Sequence, residues 1–173
     1  LKIKFFENHL YNIVNKHFAH ENSGVFGLRR SGKTSVLNAV YRTLDRIDGK
    51  WVWIDGQLLS NIRWNVALYY VVQMVFKKFD FQLVHTKGDY TFEEAAILFE
   101  QDMLNCSEQL GDKSLLLLID EIEHITFDIS LSSYWAEGED FIYFWRSIRA
   151  FYQKYPNKMT FIIAGTNPKA IET

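Results

Sequence analysis

Eight residues from Gly27 to Thr34, GLRRSGKT, combine two glycines, a lysine and a hydroxyl at the spacing G-x-x-x-x-G-K-[ST]. Each residue type answers a demand of holding a polyphosphate at the start of a helix. Gly27 and Gly32 allow backbone angles that side-chain-bearing residues resist, so the loop can turn its N–H groups inward. The segment Gly27, Leu28, Arg29, Arg30, Ser31, Gly32, Lys33, Thr34 and Ser35 is therefore the candidate phosphate cradle. Its last residues open a helix, where unpaired amides and the helix dipole favour anions. Lys33 is expected to carry its ammonium to the β- and γ-phosphates, and Thr34 to offer a hydroxyl oxygen to Mg²⁺.

A cradle of this kind only binds; hydrolysis also needs a held metal ion and an oriented water. The run LLLLIDE over residues 115–121 supplies two carboxylates at the end of an apolar segment. Asp120, at the mouth of a buried strand, is the candidate to hold Mg²⁺ directly or through water. Glu121 is the candidate to polarise the attacking water as general base. Glu123 and His124 follow in the same mouth, although a lone histidine is more often a solvated or core side chain. No second His or Cys stands at metal-ligand spacing, which leaves Mg²⁺ as the metal implied.

These groups need a frame that brings residues about ninety positions apart into one place. Ser23-Gly24-Val25-Phe26 is a short apolar run before the cradle, and Val36, Leu37, Val40, Tyr41 and Leu44 continue after it at helical spacing. That helix is expected to end near Asp45–Asp48, with Gly49 at the left-handed position beyond it. Trp51 to Asp55 reads as a largely buried strand. Residues 61–79 are helical in period through Ile62, Val66, Tyr69, Tyr70, Gln73 and Phe76. Residues 79–88 read as a loop or a continuation of that helix, with Lys77, Lys78 and Lys87 on a solvated face. Thr91 and Glu94 have the capping-box spacing, which predicts a helix from Phe92 to Leu110 with Phe92, Ala95, Ala96, Phe99, Met103, Cys106 and Leu110 inward.

Ser114 to Asp120 is continuously apolar and suits a central parallel strand. Residues 126–140 show no period and read as loop. Phe141 to Tyr152 is apolar on one side and is stopped by Pro156, and Met159 to Ala164 is the last strand, leading into Gly165-Thr166-Asn167-Pro168. Residues 3–18, within a lead-in segment 1–20, are also helical in period. Strands alternating with helices predict an α/β fold, a three-layer α/β/α sandwich on a mostly parallel sheet.

A chain of 173 residues with 48% hydrophobic residues sustains one good core, so residues 1–173 are expected to form a single domain. The net charge of −2 gives no general attraction to nucleic acid or anionic membrane. A single cysteine, Cys106, excludes an internal disulfide and suits a reducing compartment. With no run approaching ~18 apolar residues and no secretory cleavage pattern, a cytoplasmic location is expected. The chain starts at Leu1 rather than Met and stops soon after a strand, as a piece of a longer polypeptide would.

Taken together, GLRRSGKTS resembles a Walker A motif (residues 27–34), LLLLIDE a Walker B motif (115–121), and FIIAGTNP the sensor-1 strand (159–167) of P-loop ATPases in the AAA+ and STAND groups. The GxRRxGKTS form and the strand-ending WIDG are closer to prokaryotic STAND-like and archaeal-type ATPases than to hexameric unfoldases. The resemblance implies the P-loop NTPase fold, ATP and Mg²⁺ as ligands, and hydrolysis that switches a larger regulatory or defence protein, with other domains and further copies as partners. It implies that Asn167, or failing it Thr166, lies near the γ-phosphate and helps place the water. The arginine finger, fifth strand and helical lid of such families follow sensor 1, outside this chain. Arg146 and Arg149 lie before it and read as surface or partner-contact residues. Two other readings stay open: a DNA-associated AAA+ ATPase similar to initiator or transposition ATPases, and a scaffold that holds nucleotide without turnover.

Overall fold

Four strands lie side by side in one parallel sheet in the order β1-β4-β3-β2, in a computed structural model that describes residues 2–28 and 31–166. In chain order the elements are α1 (Lys2–Phe18), β1 (Ser23–Phe26), α2 (Lys33–Arg46), β2 (Lys50–Asp55), the short α3 (Gly56–Leu59), α4 (Trp64–Lys78), α5 (Ala95–Leu110), β3 (Leu115–Asp120), the short α6 (Ser133–Ala136), α7 (Glu139–Lys154) and β4 (Met159–Gly165). Single 3₁₀ turns lie at Lys87–Asp89 and Ile122–Ile125.

Alternate residues of each strand serve opposite faces, because strand side chains have a period of two. Leu116 and Leu118 of β3, with Ile162 and Ala164 of β4, pack into a cluster with Val36, Leu37, Val40 and Leu44 of α2 and Ile13 of α1. Leu115, Leu117 and Ile119, with Met159, Phe161 and Ile163, join a larger cluster with α4, α5 and α7. The sheet is thus flanked by helices, and β3 and β4 are buried along their whole length. That burial explains the unbroken apolar runs in both strands. Edge strand β2 is buried only at alternate positions, Val52 and Ile54. Among the described residues, no helix is long and apolar enough to cross a membrane.

The details differ from the sequence expectation where tertiary packing overrides local pattern. Helix α4 buries Trp64, Ala67, Leu68, Val71, Val72, Val75 and Phe76, so of the residues that carry the helical period only Phe76 is fully buried. Helix α5 starts at Ala95, not Phe92, and Ala96 is exposed. Phe92 is half exposed instead, with its ring stacked beside Trp64 and the Arg63 guanidinium over it. Thr91 Oγ1 does accept the Glu94 N–H at 3.3 Å, but the reciprocal capping box forms at Thr86 and Asp89. At the end of α2 it is Asp48, with φ 55°, that adopts the left-handed conformation. Gly49 serves close approach there, since an added Cβ would lie 2.9 Å from the Leu44 side chain. Lys78 is not simply solvated, because its ammonium sits 3.5 Å from the centre of the Trp51 ring.

The segment 126–140 is structured. Ser132 caps the single turn α6, and Trp135 is fully buried with Nε1 donating to the Leu59 and Ile62 carbonyls at 3.1 and 3.0 Å. Asp140, also buried, accepts two bonds from Arg63 and one from the Trp64 amide, all at 2.9 Å. One helical turn is too short to display a period, which is why the pattern reads as loop. Cys106 lies in the core on α5, and burial pushes its thiol up to about 12.

Candidate functional site

Parallel pairing brings the C-terminal ends of β1, β4 and β3 to one edge of the sheet. Phe26 is level with Gly165, so Gly27 and Thr166 leave the sheet side by side, while Ile119 is level with Ile163, so β3 ends at Asp120 two residues short of Thr166 along the neighbouring strand. The Gly27 N–H extends the β1–β4 ladder, donating to the Gly165 carbonyl at 3.2 Å.

Helix α2 begins at this edge. Gly32 is its N-cap, with φ 92°, a left-handed conformation that glycine adopts at low cost. It supplies no side chain to cap the helix, so the first-turn amides face outward as donors without intrahelical partners. Just before it the Ser31 N–H donates to the Leu28 carbonyl at 3.0 Å, which tightens the loop. Gly27 faces the Ser31 side chain so closely that a Cβ at position 27 would overlap it. Lys33 is half-buried, while Leu28, Ser31, Thr34 and Ser35 are exposed. Arg29, Arg30 and Asn167 lie outside the described residues, and with them the loop's middle and the expected sensor.

Asp120 ends β3 with only 8% of its surface exposed. Burial pushes its carboxyl above the ordinary range; the Glu121 N–H, donating to Asp120 Oδ1 at 2.8 Å, and the charge of Lys33 oppose this, and the charges of Glu121 and Glu123 reinforce it. The Lys33 influence connects the phosphate loop to the carboxylate strand across the intervening β4. A buried carboxylate whose charge is poorly solvated gains from a bound cation, as a Mg²⁺ ligand would. Among the described residues no group of three or more His, Cys, Asp or Glu side chains is arranged to hold a metal. A Mg²⁺ site using one carboxylate, one hydroxyl and phosphate oxygens needs no such cage.

Glu121 sits immediately outside the strand with φ 54° and ψ 42°, a left-handed conformation unusual for a residue with a side chain. Its carboxylate meets His124 Nε2 at 3.1 Å. The turn that carries both is held by Thr126 Oγ1, which donates to the Ile122 carbonyl at 2.7 Å, and by Ser130 Oγ, which donates to the His124 carbonyl at 2.5 Å. Such strain persists where surrounding packing over-determines it, often at functional sites.

Three residues to which the sequence assigns no defined role also shape this edge. Gly56, just after β2, lies against the Asp120–Glu121 backbone; a Cβ there would be 2.8 and 2.6 Å from those carbonyl oxygens. Gly165 leaves room for Glu123, whose Oε2 accepts the Thr166 N–H at 3.3 Å. A glycine at or just after the end of a strand is the only sign of the two glycines in the sequence, and the partner each admits is not readable there.

Arg146 and Arg149 are exposed on α7, away from this edge. A cleft of about 690 Å³, lined among others by Arg63, Trp64, Phe92, Tyr143 and Arg146, lies between α4, α5 and α7 and includes no residue of the GLRRSGKT loop or the carboxylate turn. Its most buried cationic contact is already committed, since Arg63 is paired with Asp140. Compared with known proteins, the chain matches no family model and no curated sequence.

Proposed function

We propose that this chain binds ATP with Mg²⁺ and hydrolyses it, as the nucleotide-controlled core of a larger STAND- or AAA+-like regulatory or defence protein. The observation that carries the reading is the strand order, in which β4 separates the strand that enters the GLRRSGKT loop from the strand that ends in Asp120, while the Lys33 charge still acts on that carboxylate. In this reading the loop amides and Lys33 would hold the β- and γ-phosphates, and Thr34 and Asp120 would hold Mg²⁺, which would supply charge neutralisation. Glu121 accepts a proton from water as the water oxygen attacks the γ-phosphorus. The bond to the β–γ bridging oxygen breaks, and ADP leaves with that oxygen. Thr166 leaves the intervening strand and Asn167 follows it in sequence, so this pair would attend the attacking water.

The test is a pair of substitutions. Lys33→Ala should abolish ATP binding, measured by calorimetry, whereas Glu121→Gln should keep binding and slow hydrolysis by about 10²-fold or more. Intact affinity in Lys33→Ala refutes the phosphate-loop assignment. The contact between Glu121 and His124 favours one second reading, a scaffold that holds nucleotide with its carboxylate engaged and does not turn over. In that case wild type and Glu121→Gln release phosphate at the same background rate.

A further inference from the structure

Glu123 is separated from the motif carboxylates Asp120 and Glu121 and belongs to the 3₁₀ turn that follows them. Its neighbours Ile122 and Ile125 are buried, at 1% and 0% exposure, so the turn is anchored in the core on both sides of it. Its side chain does not run out to solvent as a solubilising acid would. Glu123 crosses to the neighbouring strand, where Oε2 accepts the Thr166 N–H. The same oxygen, together with Ile122 Cγ2, occupies the space a side chain at Gly165 would need, each 2.6 Å from where that Cβ would stand.

We infer that Glu123 is a positioning residue: it straps the exit of β4 to the carboxylate turn after β3, so that Thr166 is held in fixed relation to Asp120 and Glu121. Two independent features carry this, the hydrogen bond across the strands and a glycine that makes room for the bonding carboxylate. The strap lies where two adjacent parallel strands leave the sheet and the ladder between them has ended, so no backbone bond would otherwise couple their loops. Glu123 touches neither phosphate nor water in this role; it acts through Thr166. The inference rests on the proposed ATPase reading for its catalytic consequence and on the geometry alone for the strap.

The experiment reads both consequences in the intact chain. Hydrogen exchange of the Thr166 amide is followed by NMR without nucleotide, beside ATP affinity and kcat, for wild type, Glu123→Ala, Glu123→Gln and Gly165→Ala. Glu123→Ala should speed exchange at Thr166 and lower kcat, each by about tenfold, the scale of one hydrogen bond to a charged group, with ATP affinity within roughly threefold of wild type. Glu123→Gln should stay near wild type in both, because its amide oxygen can accept the same N–H. Gly165→Ala, whose Cβ would meet both this carboxylate and Ile122 Cγ2, should speed Thr166 exchange at least as much as Glu123→Ala. Unchanged Thr166 exchange in Glu123→Ala overturns the strap, and a Gln variant as impaired as the Ala variant overturns the positioning role in favour of charge. Should wild type fail to bind ATP, the functional proposal falls, and exchange alone still decides whether Glu123 holds Thr166.

Discussion

Gly56→Ala is the most informative single change, because it adds one methyl group where the chain has no room for it. The new Cβ would stand 2.6 Å from the Glu121 carbonyl oxygen and 2.8 Å from that of Asp120. Ordinary carbon–oxygen contacts fall near 3.3–3.6 Å, so the two backbones must part by roughly 0.7 Å. Neither oxygen belongs to a flexible side chain. They lie at the end of a fully buried strand and at a residue already in the left-handed region. Overpacking of this kind costs about 1–3 kcal/mol, which lowers Tm by roughly 2–12 °C for a chain of this size. The same displacement falls on the carboxylate that would hold Mg²⁺ and on the candidate base. Misplacement by ~1 Å costs up to about 10²-fold in rate, so kcat should fall by roughly 10- to 100-fold, and more steeply than ATP affinity. Calorimetric melting and phosphate release measure the two effects on one preparation. Gly88→Ala is the control, since its Cβ would meet only Thr86 Oγ1 at 3.8 Å and should change neither quantity appreciably. A Gly56→Ala protein that melts and turns over like wild type refutes the close packing of β2's end against the carboxylate turn.

Asp120→Asn should raise Tm while abolishing Mg²⁺-dependent ATP hydrolysis, because burial disfavours the ionised carboxyl and the amide can still accept the Glu121 N–H; a lowered Tm would count against the carboxylate being a strained, functional charge. His17 is buried on α1 with Nδ1 2.6 Å from Thr160 Oγ1, and burial, reinforced by His20, lowers its pKa to about 4. The unfolded chain therefore takes up the His17 proton first, so this contribution is intact above the unfolded value near 6.5 and is lost as pH falls toward 4. The loss amounts to about 3 kcal/mol. Urea titrations at a series of pH values should show wild type losing stability over that window more steeply than His17→Gln, and parallel curves would contradict the assignment.

The parts of the site written in contiguous residues are legible in the amino-acid sequence itself. GLRRSGKT and LLLLIDE each place their chemical groups within eight residues, and the unbroken apolarity of β3 and β4 reports burial on both faces directly. Long amphipathic stretches also announce themselves as helices. The phase of α4 does not, because its sequence WNVALYYVVQMVFKK is apolar nearly all round, and only contact with β2, α5 and α7 selects the face that is buried. Phe92 has the pattern of a core residue and is instead used in a stack with Trp64 and Arg63. Trp135, fully buried, lies on a single turn that offers no repeat to read, and Asp140, also buried, stands at the very start of α7, before its period is established. What stays hidden at the site has the same origin. The strap from Glu123 to Thr166 joins residues 43 positions apart, and Gly56 is fitted to a carbonyl more than sixty residues further on. Local sequence carries no record of such partners.

Topology explains why these scattered residues converge. From β1 the chain crosses by way of α2 to the far edge of the sheet, then returns through β3 to β4, which inserts beside β1. The outward crossing packs α2 with α1 against one set of strand side chains, and the return packs α4, α5 and α7 against the alternate set. Right-handed crossovers in opposite directions require this division of helices between the two faces. At the junction of β1 and β4 the strands of the outward and the returning crossovers thus meet, and the carboxyl ends of strands at such a junction are where open parallel sheets receive ligands. The GLRRSGKT loop follows β1 on one side of β4, and the carboxylate turn follows β3 on the other. Glu123 reaches across the strand between them. A group that ties the middle strand to the acidic turn would, in the proposed ATPase, pass a change at a bound phosphate into the sheet, and for that reason Glu123→Ala tests more of this arrangement than either motif residue alone.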